Sequence, residues 1–293
     1  MGRNRSAVTF VQAIVLAILQ GVSELFPVSS LGHTILIPAL LGWHNIDRAD
    51  PSFLAFVVVL HLGTAIALIV FYRDDWVKLG RAFVGSVVRG KLSDDVDERV
   101  AWLLIVGTVP VGILGLLFKE KVSILFGTVA PAAIFLMING LVMFAGDWLR
   151  RRQHAAPGAA YKRIEQLTYP QSIGVGFGQA LALLPGISRS GASIVVGLLC
   201  GLDMASAARY SFLLATPVIF AAAALAIPEL WAPGAHVVAM QAIVGAVLAG
   251  IFAYLSVAFL TKYFKNHDLR AFGWYCLLFG ALCLILAKVG VIS

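Results

Sequence analysis

Gln20-Gly21-Val22-Ser23-Glu24-Leu25-Phe26-Pro27-Val28-Ser29-Ser30-Leu31-Gly32-His33 interrupts an otherwise apolar stretch. Pro27 lacks the N–H that would carry a helix through, and the serines and glycines around it favour turns. The apolar segments on either side, residues 8–26 and 31–43, are therefore expected to be two short helices joined by a polar break. A second run reads Pro185-Gly186-Ile187-Ser188-Arg189-Ser190-Gly191-Ala192-Ser193, flanked by residues 171–184 and 192–202. Each pair reads as a re-entrant helix pair.

The rest of the chain explains why such breaks stand out. Of 293 residues, 60% are hydrophobic and only 13% charged, about half the charge of an ordinary globular domain. The apolar residues come in blocks at 53–72, 101–118, 129–148, 211–228, 237–260 and 271–289. About 20 helical residues cross a hydrocarbon core roughly 30 Å thick. The expected fold is an all-α polytopic membrane protein, with six transmembrane helices plus two re-entrant helix pairs. The order of elements repeats, so residues 1–150 and 170–293 read as two halves of one membrane domain. The basic loop 149–169 joins them, and Gln20…Pro27 is answered by Gln179…Pro185. An odd number of spans in each half makes the repeat inverted, with its site expected near the midplane.

The net charge of +7 does not argue for nucleic acid, because the basic residues sit in short loops between apolar blocks. Fifteen of the 22 lysines and arginines fall on one face, in loops 73–100, 149–169 and 261–270 and at Arg209; six fall on the other. That asymmetry predicts a cytoplasmic location for the three rich loops and an extracytoplasmic one for both termini. Residues 8–19 have no small-residue cleavage site and are read as mature sequence. Cys200, Cys276 and Cys283 lie in apolar segments without metal-site spacing and are read as packing residues.

Irregular backbone survives at membrane depth only where protein buries it or a wet cavity needs it. The two breaks bring a carboxylate, a histidine, an arginine and several hydroxyls there. Arg189 is either a buried ion-pair partner of Glu24 or, better, an anion clamp: its planar fork suits phosphate, and Ser188, Ser190 and Gly191 open a helix N-terminus. Glu24 facing a diphosphate suggests a base or a ligand of a bridging divalent ion. Ser30 and His33, three residues apart, are expected within hydroxyl–imidazole reach. Ser30, His33 or water could be the nucleophile. His61, Asn139 and Asp147 are read as interhelical hydrogen-bonding groups, and Gly107, Pro110, Gly112 and Gly115 as packing or kink positions. Trp76, Trp102, Trp148 and Trp231 are read as interface anchors.

The two runs resemble the undecaprenyl-diphosphate phosphatase family, also called the bacitracin-resistance family. Its first motif is similar to E/Q-G-x-T-E-F-L-P-x-S-S-x-G-H, matched at Gln20–His33 with Ser23 for Thr and Leu25-Phe26 for Phe-Leu. Its second, P-G-x-S-R-S-G-A-T, is matched at Pro185–Ser193 with Ser193 for Thr. His61-Leu62-Gly63-Thr64, Gly107-Thr108-Val109-Pro110, Leu116-Leu117-Phe118-Lys119 and Ala207–Leu213 resemble further family stretches. The resemblance implies hydrolysis of undecaprenyl diphosphate to the monophosphate, with release toward the outer face. It implies catalytic weight at Glu24, Ser30, His33 and Arg189, and substrate contacts at Gln20, Ser29, Gln179, Ser188, Ser190, Gly191 and Ser193. A divalent cation, Mg or Ca, is implied with Glu24 as its ligand. Bacitracin would compete indirectly by sequestering the same lipid, and a homodimer is left open. Where the family often carries a second glutamate this chain has Gln20, which puts a two-carboxylate mechanism in doubt. A transporter or flippase of polyprenyl phosphate lipids is the rival reading, since inverted repeats with broken helices also build transporters. A type-2 phosphatidate phosphatase is excluded, because its histidine and aspartate positions hold Val195 and Leu199 here.

Overall fold

A computed structural model describes residues 8–46, 50–126, 128–155, 161–230 and 236–292. Eleven α-helices run through them: α1 (Phe10–Ser23), α2 (Ser30–Leu40), α3 (Pro51–Phe71), α4 (Arg73–Arg89), α5 (Val96–Phe126), α6 (Val129–Ala155), α7 (Tyr169–Ala180), α8 (Arg189–Leu199), α9 (Met204–Leu230), α10 (His236–Tyr263) and α11 (Arg270–Lys288). Six of them, α3, α5, α6, α9, α10 and α11, are long and apolar enough to cross a membrane, and they cover the six expected spans to within one residue. Their outward faces expose Leu117 on α5, Val247 on α10 and Leu278 on α11, a surface that only lipid would cover without penalty. Trp231 and the side chain of Lys119 lie outside the described residues.

Helices α1, α2, α7 and α8 have 14, 11, 12 and 11 residues. At 1.5 Å per residue even α1 reaches only about 21 Å. They match in detail. Thr9 and Thr168 each open a capping box closed three residues later by Gln12 and Gln171, satisfying N–H groups the first turn leaves orphaned. Ser29 caps α2 through the Gly32 N–H, and Ser188 caps α8 through the Gly191 N–H. Thr9, Gln12, Gln20, Ser29 and Gly32 each stand 159 residues before Thr168, Gln171, Gln179, Ser188 and Gly191. Anchored on their prolines, the two runs are one residue out of register; the capping serines restore equal spacing.

The loop expected over residues 73–100 instead contains α4. Asp74 and Asp75 in its first turn and Arg89 in its last complement the helix dipole, and Gly90 ends it in the left-handed conformation. Mixed composition hid it, because half of an amphipathic helix is polar. It packs on α5 through Phe83 against Trp102, through the Trp102 indole N–H donating to Ser86, and through Arg89 against the buried carboxylate of Glu98. Helices α5 and α9 also begin five and seven residues earlier than the apolar blocks, at Val96 and Met204.

Small residues set the closest crossings. A Cβ on Gly63 of α3 would lie 2.1 Å from the Ala246 carbonyl of α10, and one on Gly176 of α7 would lie 2.3 Å from the Gly107 carbonyl of α5. Gly107 is thus a packing position as expected. Gly112 and Gly115 meet almost nothing and instead line the cavity described below.

Candidate active site

The two breaks fold onto each other. Ser29 takes φ 69°, the single non-glycine residue with positive φ among the described residues. That turn aims its Oγ at two backbone N–H groups, Gly32 in its own run and Gly186 in the other, both at 3.2 Å. Gly186, at φ 114°, has no room for a side chain: a Cβ would lie 2.4 Å from the Ala132 carbonyl of α6. Asn139 of α6 ties both runs at once. Its Nδ2 donates to the Pro27 carbonyl (2.9 Å) and its Oδ1 accepts from the Ser188 N–H (3.0 Å). Ser190 Oγ adds a bond to the Phe26 carbonyl at 3.2 Å. Asn139 therefore goes beyond the interhelical role expected of it.

This docking places Ser30 and Arg189, the first residues of α2 and α8, around Glu24. Ser30 Oγ donates to Glu24 Oε2 at 2.7 Å. Arg189 grips Oε1 with Nη2 at 3.0 Å and Nε at 3.3 Å, and its Nη1 donates to the Ser211 carbonyl at 3.3 Å. Gln20 Nε2 donates to Oε2 at 3.0 Å. His61 of α3 closes the set, with Nε2 3.1 Å from Oε2. The carboxylate therefore holds five contacts from four side chains, all buried or nearly so. In this conformation Arg189 is an ion-pair partner, and the two readings of it join: the fork that would clamp an anion rests on a carboxylate.

A cavity of about 460 Å³ opens beside this cluster. Glu24, Ser29, Ser30, His61, Thr108, Gln179, Ser188 and Arg189 form its polar end. The rest of its wall is Leu31, Leu54, Val57, Val58, Val111, Leu116, Leu183, Ile187, Val218 and Ile219, with small residues between them. The N-termini of α2 and α8 both start at the polar end, where partial positive charge favours an anion.

The other expected site residues fall elsewhere. His33 makes no bond to Ser30. Its Nδ1 contacts the Ser29 carbonyl and its Nε2 the Tyr275 hydroxyl, both at 2.7 Å, while its ring stacks on Tyr275 and Phe279 of α11. The expected hydroxyl–imidazole contact is replaced because the Ser29 carbonyl and Tyr275 take both ring nitrogens while Glu24 takes the Ser30 hydroxyl. Ser190, Gly191, Ser193 and Gln20 do not line the cavity. Ser193 Oγ bonds back to the Arg189 carbonyl at 2.5 Å, and Gly191 faces Met143 and Pro27. His61 is the residue sequence reading undervalued: it lies 28 residues beyond His33 in an apolar block, and only the packing of α3 brings it to Glu24.

A profile of the family described as bacitracin resistance protein BacA matches residues 13–282. The chain belongs to this family. A protein of Chromobacterium violaceum named undecaprenyl-diphosphatase 2 is 46% identical, over 95% of this chain and 99% of its own. Undecaprenyl-diphosphatase of Acidiphilium cryptum is 47% identical over 95% and 98%, and undecaprenyl-diphosphatase 2 of Frankia alni 41% over 94% and 97%. Six apolar helices in a member of this family make the chain a multi-pass membrane protein.

The described residues form no closed protein cage for a divalent cation. Glu24 is the single carboxylate of the cluster, and its oxygens already take five contacts, two of them from a guanidinium. Gln20 adds only a neutral amide. Among the described residues no three His, Cys, Asp or Glu side chains gather as a metal site.

Proposed function

We propose that this BacA-family chain hydrolyses undecaprenyl diphosphate to undecaprenyl phosphate and inorganic phosphate, with Ser30 as nucleophile. The observation that carries the reading is the convergence of Ser30 and Arg189 on Glu24 at the polar end of an apolar cavity. The apolar wall suits a polyprenyl chain, and the polar end suits its diphosphate. The names of the similar proteins point to the same substrate.

The terminal phosphorus lies against Ser30. Ser30 Oγ attacks it, the bridging P–O bond breaks, and polyprenyl monophosphate leaves. The hydroxyl proton passes to Glu24, already its hydrogen-bond acceptor. Water then attacks the phosphoserine; Glu24 returns its proton to the departing Ser30 Oγ, one proton of the water stays on the released phosphate and the other passes to solvent. While Arg189 holds Oε1, its charge weakens the carboxylate as an acceptor of the Ser30 proton. Arrival of the diphosphate draws Arg189 across to phosphate oxygens and leaves Glu24 free to take that proton along its existing hydrogen bond. Guanidinium and helix N-termini stabilise the charge that grows on the phosphoryl group. His33 supports the reaction indirectly, by holding the Ser29 carbonyl at the break.

The same reading extends to topology. Exchanging α1, α2, α3, α5 and α6 with α7, α8, α9, α10 and α11 turns the α1–α10 packing into α7–α5 and leaves the α3–α9 and α6–α11 pairs unchanged; all four packings occur. With the equal spacing of the capping residues, this supports two halves related as an inverted repeat; the excess of basic residues in loops 73–100, 149–169 and 261–270 supports both termini outside. Bacitracin then acts on the pathway by sequestering the lipid.

Phosphate release from undecaprenyl diphosphate by purified protein in detergent tests the reading. Wild type should turn over, Ser30→Ala should lose about 10³-fold or more, and Arg189→Lys about 10²-fold, since an ammonium cannot reproduce the fork. Folded wild type that releases no phosphate in detergent, yet moves the lipid between leaflets once reconstituted in vesicles, sinks the enzyme and favours a flippase. Full activity in Ser30→Ala removes the serine and leaves water as nucleophile.

A further inference from the structure

His61 has a feature the scheme above leaves unused. Its Nδ1 lies 2.8 Å from the Val57 carbonyl, an acceptor only, and its Nε2 lies 3.1 Å from the Glu24 carboxylate. An imidazole that donates at both nitrogens is an imidazolium. The charged groups facing the ring are Glu24 from the first break and Arg189 from α8. His61 also lines the cavity beside Ser30 and Arg189, so the same ring can reach the carboxylate or a ligand. Gln20 gives the carboxylate an N–H and no charge.

We propose that His61 is a second phosphate-binding cation, which leaves Glu24 for the diphosphate together with Arg189 and supplies from the protein a positive charge that two carboxylates would have to recruit as a divalent ion. The inference rests on the phosphatase reading for its substrate. Its chemistry, a diphosphate held by imidazolium and guanidinium, stands on the contacts alone. Withdrawal of His61 also frees a second lone pair on Oε2, the oxygen that already accepts the Ser30 hydroxyl, so binding and activation of the serine are coupled through one atom. His61 keeps its Val57 contact through Nδ1 and stays protonated throughout; no proton leaves it.

The test is binding of inorganic pyrophosphate by calorimetry, with the purified full chain in chelator so that every cation at the site belongs to the protein. Wild type should bind. His61→Gln should bind at least 10-fold more weakly. Adding Gln20→Glu to His61→Gln should restore binding only when magnesium is supplied. Equal affinity in wild type and His61→Gln would overturn the proposal, as would wild type that binds only with magnesium. Phosphate release from the lipid, measured in parallel, separates the two readings: binding that follows His61 without turnover by wild type keeps the cation and loses the phosphatase.

Discussion

Ser29 shows how the site is held together by one strained residue. A side chain at φ 69° costs about 1–3 kcal/mol relative to an ordinary conformation. Against this, its Oγ satisfies the Gly32 and Gly186 N–H groups, and a buried N–H left unpaired costs about 1–3 kcal/mol. Both Ser29→Ala and Ser29→Gly should therefore lower stability, but glycine relieves the strain, so the alanine variant should melt lower than the glycine variant by about 1 kcal/mol or more of unfolding free energy. Thermal unfolding in detergent reads this; equal melting of the two would mean that the turn carries no strain. The same scale shows what could be read without coordinates. Glu24, Ser30 and Arg189 were legible because each is a polar group in an apolar block beside a helix breaker. His61 was not, since its neighbours in sequence are apolar and its partner belongs to another element. His33 misled for the opposite reason: proximity to Ser30 along the chain says nothing of which way a helix turns it.

Helix α3 connects packing to chemistry. It carries His61 toward Glu24 and, two residues on, Gly63 against the Ala246 carbonyl of α10. A methyl group cannot fit at 2.1 Å, so Gly63→Ala must push α3 and α10 apart or shift the backbone. The expected cost is about 2 kcal/mol or more, with a loss of phosphate release, since displaced α3 takes His61 with it. Gly80→Ala, in the open on α4, is the control; it should leave activity unchanged and raise stability by about 0.5–1 kcal/mol through helix propensity. A Gly63→Ala protein as stable and active as wild type would show that α3 has slack at this crossing. The spans themselves were visible in hydropathy, because lipid imposes length and composition together. Helix α4 was not, because half of an amphipathic helix is polar; nor were the first turns of α5, which carries Asp97 and Glu98, and of α9, where the cap Asp203 accepts from the Ser206 N–H at 2.7 Å, since neither leaves a hydropathy signal.

At the scale of the whole molecule the two polar breaks meet, and an orientation follows from where the charge lies. Six spans put both ends of the chain on one face, while residue 92, after the first span, lies on the other. Fifteen basic residues on the face of residue 92 against six opposite predict that it is cytoplasmic, because cationic loops resist translocation. In a background lacking Cys200, Cys276 and Cys283, single cysteines at Leu92 and Val291 serve as reporters; both positions are more than half exposed. A membrane-impermeant maleimide applied to intact cells should label the Val291→Cys protein at once and the Leu92→Cys protein only after permeabilisation. The reverse pattern would invert the protein and move the first break to the cytoplasmic side, so that the phosphate would be released inward. Labelling of both in intact cells would contradict an odd count of spans between the two positions, and with it the pairing of the two halves.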